Sequence, residues 1–172
     1  PSGQPAENGH RLIEFVRPAP PQGTHFLQAI GRGNDIMTPT GILESALYVD
    51  DLGTAEAFYT TVMGLERIAK VPDRHVFFRC GEGVLLLFNA AKTLKPPAPD
   101  ARLPVPPHGT TGSGHLCFRG SGAEIERWKA HLSHHNIAIE ADFEWPQGGR
   151  SIYFRDPAGN SLEIAEPKIW GL

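Results

Sequence analysis

The chain states nearly the same pattern twice, and that duplication limits what it can fold into. Residues 42–49 (Ile-Leu-Glu-Ser-Ala-Leu-Tyr-Val) open one stretch, and residues 114–119 (Gly-His-Leu-Cys-Phe-Arg) open a second. Each is followed by a short helix-like segment. Each then closes in a strand-turn-strand, over residues 76–87 in the first copy and 152–164 in the second. Superposing the copies sets Glu44 against His115 and Arg79 against Arg155. A repeat fixes architecture before any other signal does. Ligand-type side chains at matching strand positions point to a pseudo-symmetric cup around a metal ion.

Period-two alternation sets Leu43, Leu47 and Val49 on one face of the first strand. Glu44, Ala46 and Tyr48 then share the other face. Asp50 and Asp51 supply N-cap chemistry for a helix over 55–63, and Gly64 supplies its stop. Strands are expected at 66–70, 75–80 and 83–89, the last two joined by a tight Gly-Glu-Gly turn. The second copy repeats the order: strand 114–119, helix 123–134, then strands near 138–143, 151–155 and 161–165. Between the copies, residues 92–112 hold six prolines and two glycines, the composition of a connector. The expected organisation is an irregular arm over 1–40, a first βαβββ module over 41–91, a linker over 92–112, and a second module with tail over 113–172. In the arm, residues 12–16 and 26–30 have the character of a strand and a helical turn, and Met37 is a candidate initiator.

At 172 residues with net charge −3, the chain has room for one domain or two half-domains sharing a core. Its interspersed charges give no footprint for nucleic acid or an anionic membrane, and its longest apolar run, 84–88, is too short to span a bilayer. No secretory signal pattern is visible at the start, so a cytoplasmic location is expected. Cys80 and Cys117 are too few for a disulfide framework and are expected as small buried hydrophobes.

Three segments resemble the vicinal oxygen chelate superfamily, which includes glyoxalase I, extradiol dioxygenases, fosfomycin-resistance transferases and bleomycin-binding proteins. Residues 47–65, with Tyr59 and Gly64, resemble its first strand and helix. Residues 114–118 resemble its fifth strand, and residues 153–163, Tyr-Phe-Arg-Asp-Pro-Ala-Gly-Asn-Ser-Leu-Glu, its closing hairpin. The resemblance implies an α+β fold of two tandem βαβββ modules forming a cupped mixed sheet. It also implies a metal site built from Glu44, His115 and Glu163, with Glu163 doubling as a catalytic group. Leu86 stands where a fourth ligand would be in glyoxalase I. Trp145, Arg150 and Tyr153 lie near the implied mouth as candidate substrate contacts.

One imidazole and two carboxylates suit a divalent ion such as Mn, Fe, Ni, Zn or Mg. The resemblance therefore implies a metal-dependent lyase, isomerase or oxygenase acting on a small oxygenated molecule. The rival is a metal-free protein of the bleomycin-binding kind. The resemblance also implies a homodimer in which Glu44 meets His115 and Glu163 of a second copy. The remaining histidines carry no site role on sequence grounds: His131, His134 and His135 suit a helix C-terminus, and nothing converges on His10, His25, His75 or His108.

Overall fold

The structure, a computed structural model, describes residues 37–172. The features expected at 12–16 and 26–30, with His10 and His25, lie outside the described residues. Residues Pro39–Leu172 form one compact unit. Its elements are β1 (Glu44–Tyr48), α1 (Leu52–Thr61), β2 (Glu66–Val71), β3 (His75–Cys80), β4 (Gly83–Phe88), α2 (Ala90–Thr93), β5 (His115–Arg119), α3 (Gly122–His134), β6 (Ala141–Glu144), β7 (Arg150–Arg155) and β8 (Ser161–Ala165), with a closing 3₁₀ turn at Pro167–Trp170. Two four-stranded mixed sheets result, ordered β1-β4-β3-β2 and β5-β8-β7-β6. In each, the first and last strands of a module pair in parallel and the other pairs are antiparallel. This is the expected α+β fold of two βαβββ modules.

Local chemistry explains where the helices begin. Asp51 caps α1 by accepting from the Thr54 N–H at 2.9 Å. Ser121 and Glu124 form a reciprocal capping box on α3. Gly64, at φ 66°, takes the left-handed turn that leads away from α1 into β2.

Strand alternation divides each sheet into two faces. From the first sheet Leu47, Val76, Phe78, Leu85 and Leu87 point inward, and from the second Ile152, Phe154, Leu162 and Ile164 do. They join Ala55, Phe58 and Tyr59 of α1 and Ile125 and Leu132 of α3 in one hydrophobic core shared by both modules. Burying a side chain of this size stabilises by ~1.5–3 kcal/mol. The helix-bearing faces are therefore spent on folding, and the opposite faces carry the remaining chemistry.

A polar clasp joins the modules. The β7–β8 loop places Asp156 in the interior, where it accepts from the Tyr59 hydroxyl of α1 at 2.9 Å. The same carboxylate takes the Asn160 side-chain amide at 2.8 Å and the Ala158 and Asn160 backbone N–H groups at 2.9 and 2.8 Å. Asn160 in turn accepts from the Gly114 N–H at 2.7 Å and donates to the Tyr48 carbonyl at 3.3 Å. Burial first, and the Asp156 charge second, push the Tyr59 phenol far up, so it remains a donor.

The cysteines depart from expectation. Cys80 is only half-buried and Cys117 is exposed. In β5 it is Leu116 and Phe118 that pack against the core, so Cys117 alternates onto the opposite face. The Pro-rich linker also begins in a helical turn, since α2 runs through Thr93.

Candidate metal centre

The outer face of the second sheet brings two of the three expected ligands together. His115 opens β5, and Glu163 sits mid-β8, level with Cys117 on one side and Tyr153 on the other. His115 Nε2 lies 3.4 Å from Glu163 Oε2. The other ring nitrogen, Nδ1, lies 3.1 Å from the Ser161 carbonyl. A carbonyl only accepts, so Nδ1 carries a proton. Nε2 and the carboxylate oxygen then face each other with lone pairs unless a cation or a second proton lies between them.

Glu163 is buried, with its side chain 6% exposed, and its Oε1 has no hydrogen-bond partner among the described residues. An orphaned carboxylate oxygen costs ~1–3 kcal/mol or more in the interior. Donor type, tautomer and orphan oxygen together fit a divalent ion at this point.

The surroundings are aromatic. Tyr153 stacks between His115 (centroids 6.2 Å) and Phe143 (5.8 Å). Trp145 continues the row at 5.1 Å from Phe143 and donates its Nε1–H to the Ser151 hydroxyl at 2.8 Å. Burial, then the nearby Glu163 carboxylate, raise the Tyr153 phenol well above its ordinary range. Cys117 is exposed as a residue, but desolvation on the sheet side of its thiol and then the Glu163 charge push that thiol up to about 12. Both groups therefore stay protonated beside Glu163.

Arg150 lies elsewhere. It shares a face with Ile152, the helix side of β7, and its guanidinium is taken by Asp142 at 2.6 and 2.7 Å and by Glu126 of α3. Strand parity separates it from Ser151 and Tyr153, so its side chain braces sheet against helix on the opposite face.

Glu44 is also apart. It opens β1 in the first sheet, is exposed, and pairs with Val84. Among the described residues no three His, Cys, Asp or Glu side chains are grouped to hold a metal. The registers equate the modules residue by residue: Glu44 with His115, Ala46 with Cys117, Leu86 with Glu163, and Phe77 with Tyr153. The first module thus offers one carboxylate and an apolar wall where the second offers an imidazole and a buried acid.

That apolar wall floors a cavity of about 930 Å³, roofed by residues of the 92–108 linker. His75 stacks flat on Phe77 at 4.2 Å, and its buried Nδ1 has no partner among the described residues. His108 reaches back from the linker, packs edge-on to Phe88 at 4.5 Å and hydrogen-bonds the Tyr48 hydroxyl at 2.8 Å. Sequence reasoning missed both histidines. His75 carried a signal, since it shares a strand face with Phe77; His108 carried none, because only the folded linker delivers it. His131, by contrast, is structural, bonding the Val62 carbonyl at 2.8 Å.

Residues 41–164 match the Glyoxalase/Bleomycin resistance protein/Dioxygenase superfamily, and the chain belongs to that superfamily. Within it, a lactoylglutathione lyase from Agrobacterium tumefaciens is 46% identical at a TM-score of 0.74. The match covers 79% of this chain and all of that one. A glyoxalase/bleomycin resistance protein/dioxygenase from Nocardioides shares the fold at 23% identity (TM-score 0.60), the match covering 76% and 85% of the two chains. A fosfomycin resistance protein from Mesorhizobium loti does so at 18% (TM-score 0.51), over 75% and 93%. Among curated proteins, none matches by sequence. No helix among the described residues is long and apolar enough to cross a membrane.

Proposed function

We propose that the chain is a divalent-metal-dependent lyase or isomerase of this superfamily acting on a small oxygenated molecule, with oxygenase chemistry as the less favoured variant. The observation that carries the reading is the buried Glu163 carboxylate, one oxygen without a partner among the described residues and the other facing Nε2 of His115. The name of the 46% identical structure supports the lyase class. Leu86, at the position equivalent to Glu163, leaves the first module without a second carboxylate and so sets this site apart from a four-ligand one.

In this reading His115 and Glu163 of one protomer hold the ion, with Glu44 supplied by a second copy in a homodimer. A bound divalent ion supplies Lewis-acid stabilisation of negative charge on a substrate oxygen. Glu163 also serves as the proton carrier, a buried carboxylate beside the Tyr153 ring. The protonated Tyr153 hydroxyl donates to a substrate oxygen, and Trp145 and Phe143 shield the reacting end.

Elemental analysis of protein purified without chelator tests this. About one divalent ion per chain is expected, falling below about a tenth in both Glu163→Gln and His115→Ala. Glu44→Gln should lose metal too, and light scattering should report a dimer. A metal-free wild type from metal-replete cells would instead favour the antibiotic-binding alternative.

A further inference from the structure

The cavity of the first module has a direction. Phe77, Leu86 and Phe88 form an apolar floor. Arg74, Lys92 and Lys95 stand on its lining, gathered where β3 begins and just beyond the end of β4. None of the three has a carboxylate within ion-pair distance among the described residues. Arg74 spends one N–H on the Lys92 carbonyl at 3.0 Å, which fixes the linker beside it. Two acids also line the cavity. Asp73 adjoins Arg74 in the chain, and Glu44 pairs with Val84, four residues before Phe88. At ~3.3 Å per residue, Glu44 lies about 13 Å along the strand from the cationic end. The neutral middle is therefore bounded at one end by three cations with one acid, Asp73, among them, and at the other by Glu44. The buried Nδ1 of His75, the first residue of β3, lies beside the cationic end without a partner among the described residues.

We infer that this cavity binds a compact amphipathic carboxylate, with its aromatic or branched body on Phe77, Leu86 and Phe88 and its anionic group on Arg74, Lys92 and Lys95. A volume near 930 Å³ suits a small organic molecule rather than a macromolecule. Flat ring surfaces favour a planar body, and unpaired cations beside an apolar wall favour an anion over a neutral polar group. Placing the reacting end of that molecule toward Glu44 rests on the metal-site reading proposed above; the carboxylate recognition does not.

Calorimetric titration with 3-phenylpropionate and with 3-phenylpropan-1-ol separates charge from shape. The acid should bind at least about tenfold more tightly than the alcohol. The Lys92→Glu/Lys95→Glu double variant should abolish that preference while leaving alcohol binding unchanged, and Phe77→Ala should weaken both ligands. Both lysines are exposed, so the double variant is expected to fold. The preference should persist in Glu163→Gln, which tests the metal reading separately. Equal binding of acid and alcohol, no binding of either, or an unchanged preference in the lysine variant would overturn the assignment. So would loss of the preference in Glu163→Gln, which would place the carboxylate on the metal centre instead.

Discussion

The two modules share one backbone plan yet present opposite outer faces. Phe77 and Tyr153 occupy equivalent places, as do Leu86 and Glu163, so a hydroxyl and a carboxylate in one copy answer to a phenyl ring and an isobutyl group in the other. Their inner faces do not diverge this way. Val76, Phe78, Leu85 and Leu87 answer to Ile152, Phe154, Leu162 and Ile164, all hydrophobic and almost wholly buried. Folding constrains the inward positions of both copies alike, whereas the outward positions are free to diverge in chemistry. The hairpin loops differ too. The β3–β4 turn spans two residues, and the β7–β8 loop spans five and carries the Asp156 clasp.

The sharpest way to break that pairing is at the clasp. Asp156→Ala strands the Tyr59 hydroxyl, the Asn160 amide and the Asn160 backbone N–H in the interior, and should cost about 3–5 kcal/mol by denaturant titration. A loss under 1 kcal/mol would mean the modules do not depend on it.

Leu86→Glu makes the first module copy the second. With chelator present, a carboxylate at this buried position should destabilise by about 1–3 kcal/mol. If Glu44 belongs to the metal centre, excess divalent ion should recover that loss and the variant should hold the ion more tightly than wild type. Recovery failing in Glu44-intact protein would separate the two halves.

How much of this was legible in the chain follows the same division. The duplication placed both modules, and period-two counting put Glu44, Ala46 and Tyr48 on one face. It also set Leu86 against Glu163. Parity assigns Arg150 to the face of Ile152, whereas the mouth implied by the resemblance does not distinguish the two faces of β7. Contacts that depend on the linker were not legible. Tyr48 and His108 meet across 60 residues, and no local pattern encodes the path that Pro96, Pro97 and Ala98 take over the first cup. Cys117 was misplaced because a small, half-apolar residue in a strand says little about which face it occupies.

The smallest effect expected concerns the brace on the helix side of the second sheet. Hydrogen bonds from Arg150, then Lys129, hold the Asp142 carboxyl down at about 2, against ~3.9 for an unperturbed aspartate. A depressed acid stabilises the fold above its unfolded value. That contribution is lost as pH falls from about 4 through about 2. The pair is partly exposed, so Asp142→Asn should cost less than about 1 kcal/mol at neutral pH. Thermal melts of variant and wild type should converge below about pH 2. A gap that persists there would assign the loss to packing rather than charge.

The clasp also bears on how such a gene can be shuffled. A crossover within the linker codons would bring a foreign first half against the native second half. The hybrid would then lack a hydroxyl for Asp156 unless the donor helix carried tyrosine at the place of Tyr59. Asn160 lies three positions ahead of Glu163 on the same stretch of chain, so a poorly matched graft would disturb that buried acid along with the fold. Inheritance of the two halves is thereby tied together, even though only one of them carries the buried acid.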